Sequence, residues 1–395
     1  VVDLTSLQAL AIKAQGAPGT YASPTSADAL PVSNLSWKPT PVQADNPEYT
    51  GTIHRNGPII LGVGYDVSFD VLLRGPGGAS PPAADAFILG RLLRSLGFTE
   101  NIVSAAIPAA AEALGVGSTT TVATLGASAA GTADLYKGLA LHLTDKGAAP
   151  TGFSMIRSYS AAKAAGLAET LGTAPAANYQ IPKQLAYTLA ATGSPPVLSM
   201  ALWQGSRRYN FVDMAPSSAR LSLPTASRSG GSEYPKLTLT YSGDAYNDLT
   251  ESAPVISSSL AVPAFKGGKL HVAGLAMGGT SISLDLGLKV GFPPDPNKAS
   301  GSAPGQLVET RRTLQLDLNQ EAKSYIDFVA MANAQTNYPI QALYGFGTGN
   351  YIGFVATDAR FNFPETQSGG DFFATSGEAY VDSADKSIGL VFPYW

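Results

Sequence analysis

Hydrophobic and polar residues alternate with a period of two in several stretches of the chain. Val67, Phe69 and Val71 are separated by Ser68 and Asp70, and Leu237, Leu239 and Tyr241 follow the same rule. The longest run is Ile282, Leu284, Leu286, Leu288 and Val290, and Leu314, Leu316 and Leu318 repeat it. Successive side chains of a strand point to opposite faces, so this alternation predicts strands with one face on a core and the other toward water or a partner. Half-buried strands of this kind belong to antiparallel sandwiches or barrels rather than to buried parallel sheets.

Helical spacing is rarer. It predicts a helix over 85–96, where Phe87, Ile88, Arg91, Leu92 and Ser95 recur at helical intervals, Pro81 and Pro82 precede and Gly97 stops the run. A second helix is predicted over 321–334 from Tyr325, Phe328, Val329 and Ala332, ended by Asn337 and Pro339. A third, with a weak apolar face, falls over the Ala-rich stretch 160–171, which carries Lys163 and Glu169. Stretches 16–31 and 291–305 read as loops, the latter with Pro293, Pro294, Pro296 and Pro304.

Two halves of the sequence echo each other. Ala201-Leu202-Trp203 matches Ala342-Leu343-Tyr344. Ala219-Arg220-Leu221-Ser222-Leu223-Pro224 matches Ala359-Arg360-Phe361-Asn362-Phe363-Pro364, and Ser229-Gly230-Gly231 matches Ser368-Gly369-Gly370. Upstream, the strand over 65–73 runs into the first helix as the strand over 313–318 runs into the second, and a long loop precedes each. The shared order is strand, long loop, strand, helix and three strands. Helix and next matched strand are close in the second half but separated by 98–200 in the first, so 101–199 reads as an insertion. The expected organisation is an N-terminal arm over 1–32, a first unit over 33–260 carrying that insertion, and a second unit over 261–395. Two similar units per chain would let three chains close into a ring of six near-equivalent positions. Arg220 and Arg360 occupy matched positions and are candidate inter-subunit contacts through ion pairs with carboxylates; a solvated strand arginine is the alternative.

Composition supports burial of the surface by other copies. Only 14% of the 395 residues are charged, against about 25% in an average domain. The 45% hydrophobic content is enough to drive collapse. A net charge of −4 argues against a dedicated nucleic-acid binder. There is no cysteine, which excludes disulfides, thiolate metal sites and cysteine nucleophiles. His54, His142 and His271 lie far apart, without metal-ligand spacing. Gly267-Gly268-Lys269 continues into Leu270 and lacks the hydroxyl of a phosphate loop. Gly345, Gly347 and Gly349 have the wrong spacing for a dinucleotide fingerprint, and Asp295-Pro296-Asn297 follows no EF-hand pattern. No enzymatic activity, cofactor or metal is expected. The apolar stretch 101–117 is broken by Pro108 and Glu112 and is too short to span a bilayer, so no membrane partner is expected.

Three ordered segments carry a family resemblance. The first is Tyr65-Asp66-Val67-Ser68-Phe69-Asp70-Val71-Leu72-Leu73-Arg74-Gly75-Pro76-Gly77-Gly78, followed by Pro81-Pro82 and Leu92-Leu93-Arg94-Ser95-Leu96-Gly97-Phe98. The second is Tyr234-Pro235-Lys236-Leu237-Thr238-Leu239-Thr240-Tyr241-Ser242-Gly243. The third is Val262-Pro263-Ala264-Phe265 leading to Ser281-Ile282-Ser283-Leu284-Asp285-Leu286-Gly287. Together they resemble the tail tube proteins of long-tailed bacteriophages over most of 33–395, the middle segment excepted.

The resemblance implies a mainly β fold of two tandem tail-tube-like β-sandwich or barrel units, each with a flanking α-helix, assembled into stacked rings around a DNA channel. Implied partners are the chain itself, a tape-measure protein and transiting double-stranded DNA in the channel, and tail terminator and distal tail proteins at the ends. The implied location is the virion tail, with assembly in the host cytoplasm. Loops before Val63 and Val308 would touch the adjacent ring, which makes Asn46, Asn56, Pro294 and Asn297 candidate ring-stacking positions. Small polar side chains such as Ser222, Thr238 and Thr240 would suit a wet channel wall. A slight acidic excess would suit a channel that must not hold phosphates. The alternatives are a tail-tip, decoration or adhesion β-sandwich protein that binds a host-surface glycan, and a polysaccharide-degrading enzyme on a β scaffold. An exposed aromatic cluster would favour glycan binding, but Trp37, Trp203 and Trp395 are scattered in sequence.

Overall fold

The computed structural model describes residues 8–46, 57–226, 233–256, 260–298, 300–319, 328–363, 365–369, 372–381 and 385–395. Strands take 54% of the chain against two short α-helices among the described residues, which makes the protein mainly β, with large antiparallel sheets and one sheet curled into a half-barrel. Among the described residues, eighteen strands form one hydrogen-bonded network, six form a separate sheet, and two form a hairpin.

The alternating segments become the centre of the large network. Strand Ser33–Ala44 pairs with Ile59–Leu72, which pairs with Lys236–Thr250, which pairs with Arg207–Pro224. The ladder crosses into the second half where Arg207–Pro224 pairs with Gly278–Asp285, and continues through Thr313–Asn319 and Phe372–Val381 to Tyr351–Phe361. Where these strands cover the core, one face is apolar. Val67, Phe69, Val71, Leu237, Leu239, Leu221 and Leu223 from the first half share a core with Ile282, Leu284, Leu314, Leu316 and Phe361 from the second. Each such side chain contributes about 1.5–3 kcal/mol by leaving water.

The run from Ile282 to Val290 is not one strand. The strand ends at Asp285, and Leu288–Gly291 pairs instead with Gln306–Thr310 as a separate hairpin. Gly287 makes the break: its φ of +52° and its contact with the Arg311 carbonyl leave no room for a side chain.

The first helix spans Ile88–Ser95, with Leu89, Leu92 and Leu93 buried and Gly97 in a positive-φ stop. Arg91 leaves the core side and pairs with Asp28 at 2.6 Å, which ties the helix to the N-terminal segment. A Cβ on Gly90 would collide with the Tyr187 hydroxyl, so the helix lies close on the sheet. The second helix is described over Phe328–Ala334; its expected first turns, 321–327, lie outside the described residues. Phe328 and Ala332 face the core, whereas Val329 is half exposed on the rim.

Most of the long middle segment forms the separate sheet. Its strand order is Ile107–Ala113, Asn178–Ile181, Ala140–Leu143, Phe153–Tyr159, Ala164–Leu167 and Val122–Thr124. The flanking strands Phe98–Val103 and Lys183–Leu189 pair with each other and remain in the large network. The helix expected over 160–171 is absent, and strand Ala164–Leu167 lies there. Gly166 sits mid-segment, Lys163 has a positive φ of 64°, and Ala165 and Leu167 are buried in a core that the six-stranded sheet shares with Leu343, Val355 and Val391 of the large network. A weak helical stripe interrupted by glycine loses to tertiary packing.

Candidate assembly interface

One line of residues across the large sheet passes through both halves. In the first half, Ser33 stands opposite Asp70, Asp70 opposite Thr238, and Thr238 opposite Arg220. In the second, Asp285 stands opposite Thr313, Thr313 opposite Tyr380, and Tyr380 opposite Arg360. The two lines join because Arg220 stands opposite Asp285. Arg220 and Arg360, matched in sequence, therefore occupy matched places in the ladder, as do Ser33 and Asp285.

This line lies on the face turned away from the core. Period-two alternation sends Asp66, Ser68, Asp70, Thr238, Thr240, Ser222, Ser283, Asp285, Gln315, Asp317 and Glu378 to that face, while their neighbours enter the core. Cross-strand hydrogen bonds satisfy many of these groups. The Ser68 and Thr240 hydroxyls are 3.0 Å apart, Ser242 donates to Asp66 at 2.6 Å, and Ser281 donates to Asp317 at 2.6 Å. Asn34 donates to Asp70 at 2.8 Å, with Lys236 at 3.7 Å from the same carboxylate. The acids of this face outnumber its bases, Lys38, Arg220, Lys236 and Arg360.

The predicted site residues fall on this framework. Arg220 is exposed at the joint and donates to Ser283 at 3.1 Å. Arg360 is exposed at the far end of the sheet, with Asn337 at 3.4 Å. Asn46 lies two residues past the end of strand Ser33–Ala44; Asn56 lies outside the described residues, as does His54. Pro294 and Asn297 belong to an ordered loop that rests on the first half. Asp295 accepts from the Asn297 amide at 2.9 Å, and Ser300 donates to Asp244 at 3.0 Å. Burial raises the Asp244 pKa, assisted by nearby Asp213 and opposed by the Ser300 hydrogen bond and Lys298.

Of the sheet edges without a partner strand among the described residues, two lie at the ends of this line. Strand Ser33–Ala44 pairs only with Ile59–Leu72. Its prolines, Pro39 and Pro41, remove outward donors from half of that edge. Beyond it, Val42, Ile59, Ile60 and Leu61 are exposed where strands Ser33–Ala44 and Ile59–Leu72 leave the core. The other open edge is the Arg360–Phe363 stretch, where Phe363 is 62% exposed.

Sequence reasoning missed a buried charged cluster. Glu169 from the separate sheet accepts Lys269 Nζ at 2.8 Å and lies 3.4 Å from His271 Nε2. Gln341 contacts His271 Nδ1 at 3.2 Å and accepts the Met155 amide at 2.9 Å. Burial lowers the His271 pKa; Glu169 opposes that shift and Lys269 adds to it. His142, also pushed down by burial, packs against Trp395 in a tilted contact with ring centroids 3.8 Å apart. The sequence signal was limited to charged residues among apolar ones, 100 positions apart. Among the described residues, no group of three or more His, Asp or Glu is placed to hold a metal ion, and no helix is long and apolar enough to cross a membrane. In comparison with known proteins, the chain matches no family model and no curated sequence.

Proposed function

We propose that this chain is the structural subunit of a viral tail tube, and that it is not an enzyme. It comprises two tandem tail-tube-like β units, each with a flanking α-helix, that self-assemble into stacked trimeric, pseudo-hexameric rings around a channel for DNA. The observation that carries this reading is the line of paired residues running through both halves on a polar sheet face, with an open strand edge at each end. A sheet with unpaired edges aggregates unless they are covered, and closure with identical neighbours covers them.

On this reading the polar face is the channel wall. Asp66, Asp70, Asp285, Asp317 and Glu378 give it an acidic bias, so transiting DNA is not held by phosphate neutralisation. The exposed apolar patch at Val42 and Ile59–Leu61 is the ring-to-ring contact, because clustered exposed apolar residues mark interaction surfaces. A tape-measure protein and double-stranded DNA occupy the channel, and terminator and distal tail proteins cap the tube in the virion. Glycan binding has less support: Trp203 is fully buried under Arg208, and Trp37 packs on Tyr209 at 4.8 Å between ring centroids. Negative-stain electron microscopy of the concentrated protein tests the proposal. Hollow tubes or rings are expected, and a strictly monomeric protein at every concentration overturns it.

A further inference from the structure

The hairpin of Leu288–Gly291 and Gln306–Thr310 stands apart from both larger sheets. It leaves the ladder at Gly287, whose positive φ turns the chain and whose N–H donates to the Asp285 carboxylate at 2.8 Å. It returns at Arg311, which donates its amide to the Gly287 carbonyl at 3.0 Å, so both ends of the hairpin pass through one pivot. The hairpin rests on the first half. A Cβ on Gly305 would meet Phe292, Val290 and Ala215, which sets the hairpin directly over Ala215, a buried residue. A cleft of about 450 Å³ separates strand Gln306–Thr310 from the end of the first helix and the 189–196 connection, and gives the hairpin room to move.

The loop that joins the two hairpin strands is tied down at a pair of carboxylates. Ser300 donates to Asp244 at 3.0 Å, and its carbonyl lies so close to Gly62 that a Cβ there would collide with it. Asp213, buried on the paired strand, stands near Asp244 and accepts the Gly19 amide at 2.6 Å. Lys298 of the same loop is the cation near Asp244. The next acids are already engaged: Asp66 with Lys38 at 3.6 Å, Asp248 with Arg207 at 3.7 Å, and Asp295 with the Asn297 amide. One ammonium therefore faces two carboxylates.

We infer that this hairpin is a flap pivoting at Gly287, and that a proton on Asp244 clasps its loop to the first half. With both carboxylates charged, the closed flap holds two like charges together in a half-buried place, and one proton removes the repulsion. Burial, with Asp213 beside it, pushes the Asp244 pKa upward against the Ser300 hydrogen bond and Lys298. Opening the flap returns Asp244 to water and toward its ordinary range, so closing takes up a proton. The closed flap gains as pH falls from neutral toward that range, by at most about tenfold per pH unit. Pro294 and Asn297 ride on the flap, so its position sets how these stacking candidates meet a neighbouring copy. That consequence rests on the tube reading; the flap does not.

The chain has no cysteine, so a thiol placed under the flap reports its opening. Variant A215C should react with 4,4′-dithiodipyridine far more slowly than V255C, whose position is 98% exposed and which serves as the reference at each pH. The ratio of the two rates is expected to fall at least about threefold from pH 7.5 to pH 5.0. Global opening would act the other way, since acid weakens the fold through His271. In A215C/D244N the charge is gone while the amide oxygen still accepts from Ser300, so labelling should be slow at both pH values. Hydrogen exchange over 288–310 in the unmodified chain, corrected for its intrinsic pH dependence, should show more protection at pH 5.0. A rate ratio and a protection that ignore pH overturn the clasp, as does a pH response that survives D244N. A chain that shows the response and never assembles keeps the clasp and overturns the tube reading.

Discussion

The two halves of the large sheet are joined by a strand ladder over apolar side chains, whereas the six-stranded sheet packs on the second half without a ladder, through an apolar core shared with Leu343, Val355 and Val391 and a buried carboxylate between two basic groups. At the first joint, Leu221 and Leu223 meet Leu284 and Ile282, and the backbone supplies the hydrogen bonds. At the second, Glu169 meets Lys269 and His271 in a site closed to water. A ladder joint accepts any strand with the right alternation, so the same joint can be used again at another edge. A buried ion cluster does not tolerate the loss of a single member, because a charge left alone inside costs about 3–5 kcal/mol.

The sharpest way to break this comparison is Glu169→Ala. It leaves Lys269 and His271 buried without their carboxylate, and stability should fall by about 3–5 kcal/mol in denaturant unfolding. Proteolysis should then cut first within 107–181; a loss below about 1 kcal/mol would remove the distinction between the joints. At the ladder joint, Leu284→Ala should cost about 2–4 kcal/mol through the cavity it leaves, with the large sheet losing amide protection before the six-stranded one.

A third expectation concerns pH. The His271 pKa is lowered from its ordinary value of 6.5 by burial, so below that value the unfolded chain binds a proton that the folded chain refuses. Stability from this group is intact above about pH 6.5 and lost as pH falls toward the lowered folded value, by at most about 1.4 kcal/mol per pH unit. Unfolding at pH 7.5 and 5.5 checks this, and His271→Gln should flatten the slope. The smallest effects belong to the arginines. Arg220→Ala and Arg360→Ala should each change monomer stability by less than about 1 kcal/mol, since both are exposed; a larger loss for Arg220 alone would mean that the internal joint depends on its contact with Ser283.

Much of the sheet was legible in the chain. The alternation at Val67–Val71, Leu237–Tyr241 and Leu314–Leu318 predicted strands and their core faces, because a strand's two faces follow from backbone geometry within a few residues. The first helix was read three residues early: Asp85 has a positive φ, and its backbone and side chain instead receive Arg91 and Arg94. The strand at Ala164–Leu167 was misread as helix, since small residues carry little periodic signal and packing decided their conformation. Arg220 and Arg360 were recognised as a matched pair, but their places at the joint and at an open end were not visible. Glu169, Lys269 and His271 were unremarkable in sequence, because nothing local marks residues that meet only when the segment after strand Ala164–Leu167 packs on strand Lys269–Val272, a hundred positions away.

By itself the sequence determined which residues of the alternating segments face inward, and its matching strings set Arg220 beside Arg360. Both follow from local periodicity and matching strings, which need no knowledge of contacts. Only the tertiary structure decided that the two patterns share one ladder through Arg220 and Asp285, that the middle segment makes its own sheet, and that Phe363 is uncovered where Leu223 is covered. Strand alternation specifies a face and leaves the neighbour open. The choice of neighbour is made by closing loops and filling a core between residues far apart in the chain.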